Sequence, residues 1–304
     1  MRTLTIEILN DMLKRSKNRE LIEEKFLVTP KIAKHILAVH NYSNRPVTYS
    51  WVESYARDMV SGGWNQSTGN TLKFSKTGEF IDGQHRLLAL IESNTPRVFT
   101  FKFGLDENAK AAIDIGKPRS TIDIQGLLLP TSKNRTKKSA VASIIYGFIN
   151  NPANPHSHRA NHKPSNPEIV ALILKYNDKI DDIIAKFGTS GIDKVVIETY
   201  AIFAYLVLSN TKYAHLVDNF FEKFASGANL NSDDPIFVVH KRLVNDRLYF
   251  RNQGNKDRAL ALIFKAWNMH INNDKASNKM KTPEEIPVIA GLDSFDGINI
   301  YNNV

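Results

Sequence analysis

Between residues 71 and 91 the chain reads TLKFSKTGEFIDGQHRLLALI, and its hydrophobic period changes partway with no linker between the two patterns. TLKF and GEFI are short β-rich runs joined by Ser75-Lys76-Thr77-Gly78, a four-residue connection ending in glycine, which predicts a hairpin. Leu87, Leu88, Leu90 and Ile91 then recur at helical spacing until Ser93-Asn94-Thr95-Pro96 breaks the pattern. A hairpin running straight into a helix confines Asp82-Gly83-Gln84-His85-Arg86 to one strand-to-helix turn. It also requires strands and helices to share a domain.

The flanking segments extend this mixed reading. EKFLVTP predicts a strand ended by Pro30, and PKIAKHILAVH a helix carrying Ile32, Ile36, Leu37 and Val39. TYSWVESYARDMVSGGW predicts a second helix, with Trp51, Val52, Tyr55 and Met59 on one face and Gly62-Gly63 as its stop. VFTFKFGL alternates as a strand. IDIGKPRSTIDIQGLLL predicts a loop holding Lys117 and Arg119, then a short helix. At Pro130-Thr131-Ser132-Lys133-Asn134-Arg135-Thr136-Lys137-Lys138 the composition becomes polar and basic, which marks a boundary near residue 130.

Beyond that boundary no segment reads as a strand. Helices are expected over 139–149, 167–187, 192–208, 212–225, 235–249 and 256–271. Ser165-Asn166-Pro167-Glu168 has the form of a capping box, and Thr282-Pro283-Glu284-Glu285 repeats it. Residues 150–166, NNPANPHSHRANHKPSN, read as the most loop-like stretch. The fold class is therefore α+β, a mixed domain to about residue 130 followed by an all-helical one.

Composition narrows the chemistry. At 304 residues and 42% hydrophobic content the chain is long enough for one large or two ordinary cores. With no cysteine, disulfides, thiolate metal sites and cysteine nucleophiles are excluded together. The formal net charge of +9 favours a polyanionic partner. No apolar run approaches the roughly 20 residues of a membrane span, so a soluble cytoplasmic protein without a membrane partner is expected.

A helix starting directly after a strand aims several backbone N–H groups at one place, with the positive end of the helix dipole behind them. Anions bind such places. Gly83 allows the sharp turn and close approach of a phosphate. Arg86 offers a planar fork for two phosphate oxygens, and His85 a further donor or a proton carrier. Asp82 beside a phosphate calls for Mg²⁺ between them, or for a role as general base. Gln84 is placed to orient a water or a base edge. The simpler structural reading makes Asp82 a helix cap, pairs Arg86 with Asp82 or Glu92, and packs His85 in a crevice. It accounts for each residue singly better than for all five together.

The stretch IDGQHRLLAL resembles the DGQHR or DGQQR signature of the ParB/sulfiredoxin superfamily. The likeness extends over most of residues 26–126, through VTPKIAKHIL, NRPVT and VESYARDMVSGGW, and is similar in order and spacing to ParB-like proteins of phages and mobile elements. FGLDENAKAAIDIGKPRSTIDI and RALALIFKAWNMH also look like that group. The resemblance implies a ParB/sulfiredoxin-like N-terminal domain that binds ATP or another nucleoside triphosphate with Mg²⁺. Asp82, His85 and Arg86 would be catalytic, and Asp82 would hold the metal. Gly83, Gln84 and Arg86 would hold phosphate or nucleotide, with Arg45 and Asn44 reaching the same ligand. The chain departs from the pattern at Asn70, after Gly69, where relatives often have an acid. It also lacks the cysteine of sulfinic-acid reduction, and Gln84 stands in that box.

In the helical half, KRLVNDRLYFRNQGNKDR interleaves basic residues with Tyr249 and Phe250. Arg242, Arg247, Arg251, Lys256 and Arg258 are its candidate DNA contacts, with a solvated helix face as the simpler account. His156, His158 and His162 are better read as solvated imidazoles than as a metal tract. The leading expectation is a Mg²⁺-dependent nucleotide hydrolase or phosphoryl-transfer enzyme acting on or regulated by DNA, in the host cytoplasm if phage-encoded. The alternatives are a non-catalytic DNA-binding regulator with a nucleotide switch, and a kinase or DNA-modification enzyme with a small acceptor. A homodimer is compatible with each of these readings.

Overall fold

The computed structural model describes residues 1–17, 21–42, 44, 46–65, 71–106, 120–188, 190–252, 255–277 and 280–297. Among them are one five-stranded mixed sheet and fourteen α-helices, a mixed and mostly helical architecture. The chain divides into two compact units, Met1–Arg119 and Ser120–Val304. No helix among the described residues is long and apolar enough to cross a membrane.

The first unit runs β1 (Arg2–Thr3), α1 (Ile6–Lys17), β2 (Ile22–Val28), α2 (Pro30–His40), α3 (Tyr49–Ser61), β3 (Thr71–Ser75), β4 (Phe80–Asp82), α4 (Gln84–Ser93) and β5 (Arg97–Leu105). Across the sheet the order is β1-β2-β5-β3-β4. β2 and β5 are antiparallel, pairing Ile22 with Phe103 and Val28 with Arg97. β3 lies parallel to β5 and antiparallel to β4. Side chains alternate across a strand, so Phe99, Phe101 and Phe103 share one face, and all three are buried with Phe26 and Phe74. The other face of β5 is polar, with Lys102 pairing to Glu23 at 3.1 Å. The core is completed by Leu9, Ile36, Val52, Met59, Leu87 and Leu90 from the four helices. Each such buried side chain contributes roughly 1.5–3 kcal/mol.

Local signals explain the helix ends. Thr29 Oγ1 accepts from the Ile32 amide at the start of α2, with Pro30 in the first turn. α3 stops at Gly62, whose φ of 83° is left-handed. The buried face of α3 is Val52, Ala56 and Met59, and Trp51 is exposed. Its ring lies 5.9 Å from Tyr55, which is 5.7 Å from Trp64. The expected apolar face is therefore split between the core and a line of aromatic rings.

The second unit holds α5 (Thr121–Leu128), α6 (Arg135–Asn150), α7 (Pro155–Asn161), α8 (Asn166–Phe187), α9 (Ile192–Val195), α10 (Glu198–Leu208), α11 (Val217–Ser226), α12 (Pro235–Asn245), α13 (Arg247–Arg251) and α14 (Lys256–Ile271). α10 and α14 are buried along nearly their whole lengths, with Phe203, Leu206, Phe264 and Trp267 in one core. The segment after α14 adds Ile286, Ile289, Leu292 and Phe295 to that core. It is stitched down where Trp267 Nε1 donates to the Ala290 carbonyl at 3.2 Å and Asn268 Nδ2 to that of Val288 at 2.7 Å.

Several boundaries differ from expectation. The units part at Arg119/Ser120 rather than near residue 130, because α5 packs on α6 and α8. The expected helix 192–208 is two, broken at Val196, which is extended at φ −139° and ψ 164°. Val195, Val196 and Ile197 are all β-branched, which stiffens the chain toward extended geometry without glycine or proline. The expected 235–249 helix breaks at Asp246 between α12 and α13, and 212–225 begins as a short 3₁₀ turn at Ala214–Leu216 before α11. Residues 150–166 contain α7 rather than loop alone. The Ser165 capping box is present, with Glu168 closing it. The matching pattern at Thr282 starts no helix, because Pro287 lies within what would be its first turns.

Candidate functional site

The strand-to-helix turn forms where expected. Gly83 sits between β4 and α4 with φ 114°, and a Cβ there would lie 2.2 Å from Leu72 Cδ2. Glycine is thus required both by dihedral and by space. Its carbonyl accepts from the Leu87 amide at 3.0 Å, the first bond of α4. Having no side chain, Gly83 does not cap the amides that follow.

Asp82 is flanked by two cations. Its Oδ1 accepts from Arg86 Nη2 at 2.8 Å and its Oδ2 from Lys73 Nζ at 2.7 Å. Arg86 Nη1 also donates to the Thr71 carbonyl at 3.0 Å, tying the start of β3 to the end of β4. The side chains of Asp82, Arg86 and Lys73 are 9%, 16% and 24% exposed. The group carries a net charge of one positive, and neither cation spends all its N–H groups on the described residues. Lys73 is the site residue that sequence reasoning missed. Continuing the Phe74–Phe80 register would set it opposite Ile81, and an irregularity between Lys73 and Phe74 brings it opposite Asp82 instead.

The other residues of the turn hold neighbouring segments together. His85 Nε2 accepts from the Thr48 amide at 3.0 Å, so that nitrogen carries a lone pair and the α3 N-terminus is drawn to the start of α4. Gln84 is buried, and its Oε1 accepts from Asn41 Nδ2 at 2.8 Å. Asn44 Nδ2 donates to Asn41 Oδ1 and, at 2.6 Å, to the Phe80 carbonyl. An amide chain therefore links the end of α2, Asn44, β4 and α4. Arg45, Asn70, Lys117 and Arg119 lie outside the described residues.

The pairing decides what Asp82 can do here. Each of its oxygens is engaged by one cation, so a Mg²⁺ ion at a remaining lone pair would meet positive charge on both sides of the carboxylate. Among the described residues no group of three His, Asp or Glu is gathered to hold one elsewhere. An anion, by contrast, meets surplus positive charge and unspent donors on Lys73 and Arg86.

The basic candidates of the second unit are used unevenly. Arg242 donates to the Met280 carbonyl and lies 4.0 Å from Asp246. Arg258 donates to the Tyr249 hydroxyl at 2.6 Å and lies 3.9 Å from Glu284. Arg247 and Arg251 both donate to the Asp193 carbonyl and remain exposed. Lys256 opens α14 half-buried. His156 is no solvated imidazole: its Nδ1 is 2.7 Å from Asp257 Oδ1 and its Nε2 is 3.2 Å from the Tyr200 hydroxyl. Burial, followed by the nearby Arg159 and Asp257 charges acting in opposite senses, leaves the Tyr200 phenol above its ordinary value.

Comparison with family models, with curated proteins and with solved structures finds no match for this chain.

Proposed function

We propose that the first unit binds the phosphate groups of a nucleoside triphosphate at the β4–α4 turn, in a protein that acts on or responds to DNA. The observation that carries this reading is the Lys73–Asp82–Arg86 group, a surplus of one positive charge with donors left over, beside a glycine-initiated helix. Gly83 lets phosphate approach the amides, Arg86 and Lys73 supply the donors, and Asp82 holds both cations in place. His85 acts as a positioning residue by fixing the start of α3.

Of the two leading functions, the nucleotide switch has a specific observation in its favour, the occupation of both Asp82 oxygens. Metal-assisted hydrolysis would bring a third cation to that carboxylate. A thermal-shift and calorimetric series with ATP, CTP and GTP, each with and without Mg²⁺, tests the proposal. A shift with at least one triphosphate, lost in Arg86→Gln, is expected. No retention of any of them at millimolar concentration would overturn it. Release of inorganic phosphate that vanishes in Asp82→Asn would restore the hydrolase.

A further inference from the structure

Helix α13 carries the most exposed large apolar side chain among the described residues of the helical unit. Leu248 is 89% exposed and Tyr249 45%, and Val244 at the end of α12 is exposed as well. A lone exposed leucine is ordinary, but an apolar group standing almost clear of the surface beside two others forms a projecting tip.

The base of that tip is fixed. Phe250 is buried and lines a small apolar crevice with Leu243, Val195 and Ile197. Arg247 Nη2 and Arg251 Nη2 both donate to the Asp193 carbonyl, at 3.2 and 2.8 Å. A guanidinium has five N–H groups, so each arginine keeps donors for an outside acceptor. Among the described residues no carboxylate pairs with Arg247, Arg251 or Lys241, while nearby Asp257 is committed to His156. Beside the tip, Arg247 and Arg251 thus keep charge and donors that no carboxylate among the described residues takes up, although Asp246 and Asp193 stand next to them.

An amphipathic peptide helix docks into an apolar concavity, and the crevice here is lined by Phe250 rather than by Leu248 or Tyr249. The tip suits entering a ligand that can open. Bases of a polynucleotide unstack to admit an apolar wedge, aromatic rings stack on them, and arginines take the adjacent phosphates. We infer that α13 is a nucleic-acid wedge whose ligand is DNA with accessible bases, in single-stranded form. Leu248 inserts, Tyr249 stacks, and Arg247 and Arg251 contact the backbone. The inference rests on the reading of the protein as DNA-associated, and is independent of the nucleotide turn.

Fluorescence anisotropy of a labelled thirty-nucleotide oligothymidine with the full-length protein tests it. In a Leu248→Ala, Tyr249→Ala variant with an unchanged melting curve, affinity is expected to fall by about tenfold. The slope of log affinity against log salt stays as in the wild type, because no phosphate contact is lost, whereas Arg247→Gln lowers it by about one. Equal affinity of the double variant and the wild type overturns the wedge and leaves the DNA reading intact. Failure of the wild type to bind any DNA removes both, and triphosphate shifts at the turn report separately on the first unit. Tight binding of a poly-glutamate peptide that is lost in the same double variant would also overturn the wedge, by making the tip a protein-docking surface.

Discussion

Both units contain a carboxylate paired with a lysine, and the two pairs are built for opposite ends. In the second unit Lys138 is entirely buried, and its ammonium donates to Ser132 Oγ at 3.0 Å, Asn177 Oδ1 at 2.7 Å and Asp181 Oδ2 at 2.6 Å. Three donors meet three acceptors, so the ammonium keeps none for a ligand, although Asp181 Oδ1 stays buried without a partner among the described residues. In the first unit Asp82 faces two cations, both partly open to solvent, which together have more N–H groups than partners. A buried cation whose donors are all spent inside the fold specifies packing. A cluster that keeps surplus charge and donors at a surface is equipped to bind.

The sharpest way to break that contrast is to unbalance the Lys138 cluster. Lys138→Ala strands three buried or half-buried acceptors and should cost about 3–4 kcal/mol in urea denaturation. Lys138→Met combined with Asp181→Leu removes both charges and should recover most of the loss, while the triphosphate response of the turn persists. A mild effect of Lys138→Ala alone would show the cluster to be no more structural than the turn.

Gly83→Ala comes next, at about 2–3 kcal/mol. The new methyl must adopt φ near 114° and meets Leu72 at 2.2 Å. A gain in stability, or no change, would mean that the backbone at this turn relaxes freely and does not hold a preformed amide cradle. At the same site, Asp82→Asn raises the local charge from one positive to two. In the switch reading it tightens triphosphate binding several-fold, whereas Arg86→Gln weakens it by about tenfold or more. Weaker binding in both variants would identify Asp82 as a direct contact, through a metal or a proton, and would return the site to the hydrolase.

The sequence makes the elements of the turn legible and conceals its charge balance. Period, glycine and the Ser75–Gly78 connection predict the hairpin and α4, because these are local preferences. Lys73 is hidden, because its position opposite Asp82 depends on a register irregularity that no local signal announces. The Asp257–His156–Tyr200 chain is hidden for another reason: its members lie on three helices brought together only by the fold. The tract around His156 reads as a polar loop, yet Pro155 opens α7 there and Asp257 receives both the amide and the ring of His156. At Val196 a helix ends through side-chain branching alone, a weaker signal than the Gly62 stop of α3. Strong local punctuation survives the passage from sequence to fold, and pairings across distance do not.

Tyr200→Phe, which removes the far link of that chain while keeping the ring, should cost about 1 kcal/mol in the same denaturation assay. The smallest effect is on pH. His40, partly buried and hydrogen-bonded to the Gly78 carbonyl at 2.9 Å, has its pKa lowered from 6.5 by burial first, with the carbonyl opposing and His35 adding to the decrease. His270 in the second unit is lowered from 6.5 by burial and then by Lys223, against Asp234. A depressed imidazole takes up its proton more readily when unfolded. Stability is therefore intact above about 6.5 and declines as pH falls from there through the lowered folded values. His40→Gln should flatten that decline for the first unit and His270→Gln for the second, read from melting temperatures between pH 8 and pH 5. An undiminished decline in both variants would assign it to other groups, and would remove His40 as a group through which acid loosens the hairpin that carries the phosphate turn.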